Sequence, residues 1–181
     1  MVSQRFIIHS ILSVLLCLLG CRVTPFGPDH NLIHIDRTAK VSRIIDGDTI
    51  TLDTGEKIRL IGIDTPEVDQ PCSDAATAFA SALTLNRTVD LEFDIDRHDR
   101  YGRLLAYVYI DDIFVNGSLI KAGYARPFRF PPNIKYAIVF DLIAASAFPP
   151  HCDLPLPSIS ADRIYTKSEL IEAYQKHPST P

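Results

Sequence analysis

Residues 41–45, Thr49–Leu52, 57–63, 88–94 and Leu104–Ile110 are rich in branched and aromatic side chains, and turn-forming residues separate them at close intervals. The 88–94 run alternates Val89, Leu91 and Phe93 with Asp90, Glu92 and Asp94, the pattern of a strand with one buried face. Asp53-Thr54-Gly55-Glu56 is a strong turn, and Asp111-Asp112 joins the last run to 113–115 as a hairpin. Five short strands with tight turns favour closure into a small barrel over an open sheet. The expected fold class is mainly β with α.

Three helices fit between and after the strands. Ser73 or Asp74 can cap a helix whose Ala75, Ala76, Phe79, Ala80 and Leu83 form one apolar stripe. Asn116 can cap a short helix through Leu119 and Ile120 that stops near Gly123, and Asn133 can cap a third through Tyr136, Phe140 and Ala144, ended by Pro149-Pro150. Near the C-terminus, Thr166 with Glu169 three residues on predicts a capping box. It would start a short, separate helix containing Leu170, Ile171 and Tyr174, on an arm spanning 153–181.

The first twenty residues have the character of an export signal: Arg5 precedes a nearly continuous apolar stretch at 6–19, shorter than the roughly 20 apolar residues of a membrane span. Leu18-Leu19-Gly20-Cys21 resembles the bacterial lipoprotein cleavage box, which would make Cys21 a lipidated N-terminus and 21–38 a flexible tether. An ordinary secretory signal is the alternative. Export with lipidation leaves Cys72 and Cys152 as the remaining thiols, either joined in a disulfide or buried and unpaired. The barrel domain itself is expected over 39–152.

Three groups of residues carry the chemistry. Asp46-Gly47-Asp48 sits at a corner before a strand, Asp64-Thr65-Pro66-Glu67 follows another, and Asp99-Arg100-Tyr101-Gly102-Arg103 precedes the 104–110 run. Two carboxylates with a backbone carbonyl and water can hold a hard divalent cation. Arg59, between Ile58 and Leu60 on a strand, projects opposite its apolar neighbours, and Arg103 stands where the chain enters the next strand. Guanidiniums and a metal together suit a phosphodiester whose equatorial oxygens gain charge during displacement. The net charge of −4 argues against broad attraction to nucleic acid, but Arg59, Arg97, Arg100, Arg103, Arg126 and Arg129 can concentrate positive charge at one cleft.

Over about residues 40–148 these stretches, with Val115-Asn116-Gly117-Ser118-Leu119-Ile120, resemble the staphylococcal nuclease family in order and spacing. The resemblance implies a five-stranded oligonucleotide-binding barrel with three helices. It implies that Asp48, Asp64 and the carbonyl of Thr65 bind Ca2+, that Arg59 and Arg103 bind phosphate, and that Glu67 positions the attacking water or acts as its base. Arg100 and Tyr101 match positions that contact the terminal phosphate and the sugar or base. The implied reaction is calcium-dependent, nonspecific endonucleolytic cleavage of DNA and RNA that leaves 3′-phosphate ends, with the enzyme secreted or lipid-anchored. No protein partner is expected.

The chain departs from the family pattern in three places. Phe128 and Phe130 replace tyrosines beside the nucleotide, which keeps stacking and loses hydroxyl contacts. The lysine-rich loop before the first helix is shortened to Val68-Asp69-Gln70-Pro71, and the charged final helix with its closing tryptophan is missing. Two non-enzymatic alternatives are a catalytically weak module that binds nucleic acid or protein, and an envelope scaffold. Retention of Asp48, Arg59, Asp64, Glu67 and Arg103 favours the enzyme.

Overall fold

The structure, a computed structural model, describes residues 32–153 and 159–178. The expected signal segment, most of the tether and Cys21 lie outside the described residues. Among the described residues, no helix is long and apolar enough to cross a membrane.

Strands β1 (Arg37–Ile44), β2 (Thr49–Leu52), β3 (Lys57–Leu60), β5 (Thr88–Glu92) and β6 (Leu104–Ile110) close into a barrel. Its order runs β3-β2-β1-β5-β6, and a parallel pairing of β3 with β6, Arg59 opposite Leu105, completes the ring. Closure satisfies every edge of these short strands, which answers the aggregation hazard of an open sheet. The short β7 (Ile113–Phe114) returns on β6 through the turn at Asp111. A separate ribbon pairs β4 (Ile63–Asp64) with β8 (Arg126–Pro127), and the Asp64↔Arg126 register brings two distant parts of the chain together beside the barrel.

Helices α1 (Ser73–Thr84), α2 (Val115–Lys121), α3 (Ala137–Ala145) and α4 (Lys167–Lys176) surround the barrel. The alternation read at 88–94 is real where it matters: Val89 and Leu91 are fully buried. Glu92, on the opposite face of the same strand, is also buried. It accepts hydrogen bonds from Tyr109 Oη (2.5 Å) and Tyr136 Oη (2.9 Å) and pairs with Lys135. The ion pair and hydroxyls compensate for removing that carboxylate from water. Tyr107, Phe114, Tyr136 and Phe140 fill the adjoining space with ring contacts between 4.6 and 6.4 Å.

Several local expectations differ from the structure. Neither Ser73 nor Asp74 caps α1; Cys72 occupies the cap position at φ 68° with no side-chain cap. Cys72 is instead fixed by a disulfide to Cys152, 80 residues away, with the Cα atoms 4.6 Å apart. Asn116 lies inside α2, where its amide accepts from Val108 N–H (2.9 Å) and donates to the Ile61 carbonyl (2.9 Å). It clamps barrel backbone rather than capping a helix. Asn133 precedes α3 by several residues and makes a paired contact with the Asp96 backbone.

The barrel begins at Arg37, inside the segment expected as tether. The predicted capping box of α4 is present, with Thr166 and Glu169 bonded reciprocally. However, α4 does not stand apart on an arm. Leu170 is fully buried, Tyr165 packs on the core, and the Tyr165 carbonyl receives the Phe114 N–H at 2.8 Å. The oily side of a lone helix must be covered, and the α3 and β7 surface covers it. Among the described residues there are four α-helices, the three that the resemblance implied and the C-terminal one that the capping box predicted.

Candidate active site

Gly47 makes the acidic corner possible. A Cβ at that position would stand 2.8 Å from Thr65 Cγ2 and 3.0 Å from the Ala76 Cβ, so only glycine lets the corner lie against the strand end at Thr65. Asp48 is consequently almost fully buried. Its Oδ2 accepts the Thr65 N–H at 3.1 Å, its Oδ1 accepts the Thr49 hydroxyl at 3.1 Å, and its own N–H donates to Asp46 Oδ1 at 3.0 Å.

Arg59 enters from the middle of β3, also buried, and places Nη2 3.0 Å from Asp48 Oδ2 and 3.7 Å from Asp64 Oδ1. Its Nη1 donates to the Leu60 carbonyl at 2.6 Å, which fixes the plane of the fork. One guanidinium thus joins the two carboxylates that the sequence suggested as a pair. Burial nevertheless pushes the Asp48 carboxyl up to about 6, because desolvation and the neighbouring Asp46 charge outweigh the attraction of Arg59.

Arg103 reaches the same rim from the turn before β6. Its Nε donates to Asp99 Oδ2 at 2.7 Å, its backbone N–H to Asp99 Oδ1 at 3.0 Å, and its Nη1 lies 3.5 Å from Thr49 Oγ1, the hydroxyl bonded to Asp48. Burial alone would raise Asp99, but the donors from Arg103 and Tyr101 outweigh it and hold this carboxyl below its usual range. Arg100 and Arg103 both lie over the exposed Tyr101 ring, at 4.8 and 5.5 Å from its centre.

Glu67 is exposed on the following turn, where its N–H is held by Gln70 Oε1 at 3.0 Å. Phe128 is exposed and Phe130 half-buried, with ring centres 6.3 Å apart, and the Phe128 N–H is bonded to the Gly62 carbonyl two residues before Asp64. The structure therefore gathers Asp48, Arg59, Asp64, Thr65 and Arg103 closely, with Glu67, Tyr101 and Phe128 as exposed neighbours along the chain.

Sequence reasoning missed how the arginines are held. Arg97 pairs with Asp36, Arg103 with Asp99, Arg126 with Asp64 and Arg129 with Asp141, while Arg100 donates to Tyr101. Each of these arginines is thus matched by a carboxylate or a phenol, consistent with the low net charge. Only the four-residue spacing of Asp99 and Arg103 gave any signal of this.

The donor set fits a hard cation. It offers two carboxylates on neighbouring strand ends and the backbone at Thr65, and the insufficiently compensated Asp48 is a group that added positive charge would stabilise. Among the described residues no three acidic, histidine or cysteine side chains converge on one point. A metal there would rest on two side chains, a carbonyl and water.

Fold and site together define an oligonucleotide-binding barrel with carboxylates and guanidiniums collected at one rim. The family model described as staphylococcal nuclease homologue matches residues 57–147. A protein called thermonuclease from Staphylococcus intermedius is 44% identical over 110 residues, covering 56% of this chain and 66% of the relative. Endonuclease YncB of Bacillus subtilis (strain 168) is 42% identical over 113 residues, covering 56% of this chain and 54% of the relative. This chain belongs to the staphylococcal nuclease family, and the match spans between about half and two thirds of those relatives' own length.

Proposed function

We propose that this protein is a calcium-dependent endonuclease that hydrolyses phosphodiester bonds in DNA and RNA without sequence preference and leaves 3′-phosphate ends. The observation that carries this reading is the convergence of Asp48 and Asp64 on Arg59, with Arg103 reaching Thr49 beside them. The relatives called thermonuclease and endonuclease support the same class.

In this reading Asp48, Asp64 and the Thr65 carbonyl hold Ca2+, which when bound supplies charge to the phosphate and orders water. Arg59 and Arg103 take the phosphate oxygens and gain strength as charge develops on them, because their forks are already oriented by Leu60 and Asp99. Glu67 orients the water that attacks phosphorus, or takes its proton. Tyr101, Arg100, Phe128 and Phe130 hold the flanking sugar, base and terminal phosphate through stacking and charge. The 5′ oxygen leaves.

The chain is further proposed to work outside the bacterial cytoplasm, released from a signal at 1–20 and tethered through lipid on Cys21. The apolar 6–19 stretch and the Cys72–Cys152 bridge support this, since disulfides persist in oxidising compartments.

Incubating purified protein with plasmid DNA or RNA, in calcium or in excess chelator, tests the activity. Cleavage of both polymers in calcium and none in chelator is expected, with 3′-phosphate ends on the products. Persistent cleavage in chelator by homogeneous protein would sink the metal assignment, and no cleavage under any condition would leave a binding module.

A further inference from the structure

Arg126 is the one patch arginine that sits directly on a carboxylate proposed to bind metal yet remains largely in water. Its place is set by the β4–β8 ribbon, where Asp64 and Arg126 are cross-strand partners. Both Nε and Nη2 donate to a single oxygen, Asp64 Oδ2, at 3.0 and 2.7 Å, while Oδ1 faces Arg59 at 3.7 Å. The Arg126 side chain is 79% exposed against 23% for Asp64. A pair with one partner so solvated is held weakly, and its long side chain is free to swing.

Two cations cannot share that oxygen without repulsion. A divalent ion held at Asp64 would compete with the guanidinium for that oxygen, and a displaced Arg126 would stand beside a cleft of about 340 Å³ lined by Asp64, Thr65, Pro66, Gln70, Tyr124 and Arg126. Neither Arg59 nor Arg103 lines that cleft, so Arg126 is its cation. Two residues on, Phe128 offers an exposed ring on the same segment. An arginine fork beside a stacking face suits one nucleotide unit of a single strand.

We propose that Arg126 is a built-in counter-cation of Asp64 that the metal displaces, and that the freed guanidinium then binds the phosphate neighbouring the scissile one on a polymeric strand. Arg126 thus couples metal loading to polymer binding. Metal-free protein keeps Asp64 neutralised, and metal-loaded protein gains one more phosphate contact. This rests on the calcium reading of Asp48 and Asp64, and it is a binding role outside the chemical step.

The test uses the full chain carrying E67Q, so that nucleic acid stays intact, with and without R126Q or R126K. Calcium affinity is measured by titration calorimetry, and binding of a single-stranded oligonucleotide in saturating calcium is followed against salt. R126Q is expected to tighten calcium binding by about threefold, in line with the loss of one exposed ion pair. It should also flatten the plot of log affinity against log salt by about 0.7, one phosphate contact on a single strand. R126K keeps the charge without the paired donors; it should retain the salt slope and tighten calcium less, which separates the charge effect from misfolding. Unchanged calcium affinity in R126Q, or an unchanged salt slope, overturns the inference. A parent protein that binds no calcium would instead fail the metal reading beneath it, an outcome read before any Arg126 variant is compared.

Discussion

Asp99 accepts Arg103 twice, from the side-chain Nε at 2.7 Å and from the backbone N–H at 3.0 Å, so one carboxylate fixes both the turn and the fork that leaves it. Arg103 is thereby aimed at the Thr49 hydroxyl before any substrate arrives. A guanidinium oriented in advance loses less freedom when it meets a phosphate. D99N should therefore lower kcat by about 10- to 100-fold while KM changes little, since the arginine remains present but poorly aimed. Steady-state kinetics on a short oligonucleotide checks this, and an equal loss in D99N and R103A through KM alone would contradict it.

Asp48 supplies a pH dependence whose sign is fixed. Its folded carboxyl is raised to about 6 by burial, while the unfolded chain titrates at about 4. Between those values the folded state binds the extra proton. Metal-free stability therefore falls as pH rises through this window, by about 1–3 kcal/mol, and stays lower above it. The measurement is the difference in melting temperature between wild type and D48N in chelator. That difference should shift against the wild type from pH 4 to pH 6.5 and then level off. A flat difference across the window would show that Asp48 is compensated.

Arg59 is placed so that its removal has two effects. R59A strips the buried Asp48 carboxylate of its guanidinium, and breaking a buried pair from one side typically costs about 3–5 kcal/mol. The variant should melt lower in chelator, and calcium should recover more stability in R59A than in wild type. R103A leaves Asp99 its backbone donors from Tyr101 at 2.9 Å and from residue 103 at 3.0 Å, so it should show less of this. Equal melting temperatures for R59A and wild type would refute the ion-pair account.

The Cys72–Cys152 bridge ties the start of α1 to the segment after α3. Intact mass before and after reduction should differ by two hydrogens, and reduction should remove about 2–4 kcal/mol of stability. Two thiols alkylated without reductant would contradict the bridge.

The lipid proposal is read at the mature N-terminus. Processing before Cys21 with acyl chains attached is expected, because several chains hold a domain at a membrane where one does so only marginally. A free, unacylated N-terminus downstream of Cys21 would identify a plain secreted protein, and retained Met1 would remove the export argument.

The barrel was legible along the chain because its signals are local. Alternation at Val89 and Leu91 places one face of β5 in the core, and the turns at 53–56 and 111–112 set hairpins whose residues are close in sequence. The acidic and arginine motifs were legible for the same reason: Asp46-Gly47-Asp48, Asp64-Thr65-Pro66-Glu67 and Asp99 to Arg103 each lie on one turn or strand end. What the sequence could not state was partnership. Asn116 has the chemistry of a helix cap, but Ile61 and Val108 offered it unpaired backbone groups, and burying those without a partner would cost more than leaving a helix end to water. Arg59 could be aimed at either carboxylate, and Arg126 gave no sign of meeting Asp64, because those contacts depend on strand register and barrel closure, the second between residues 62 apart in the chain. Local patterning is written in residue type and spacing. Which charge neutralises which is decided only when the closed barrel removes those groups from water and leaves each with the neighbour that topology supplies.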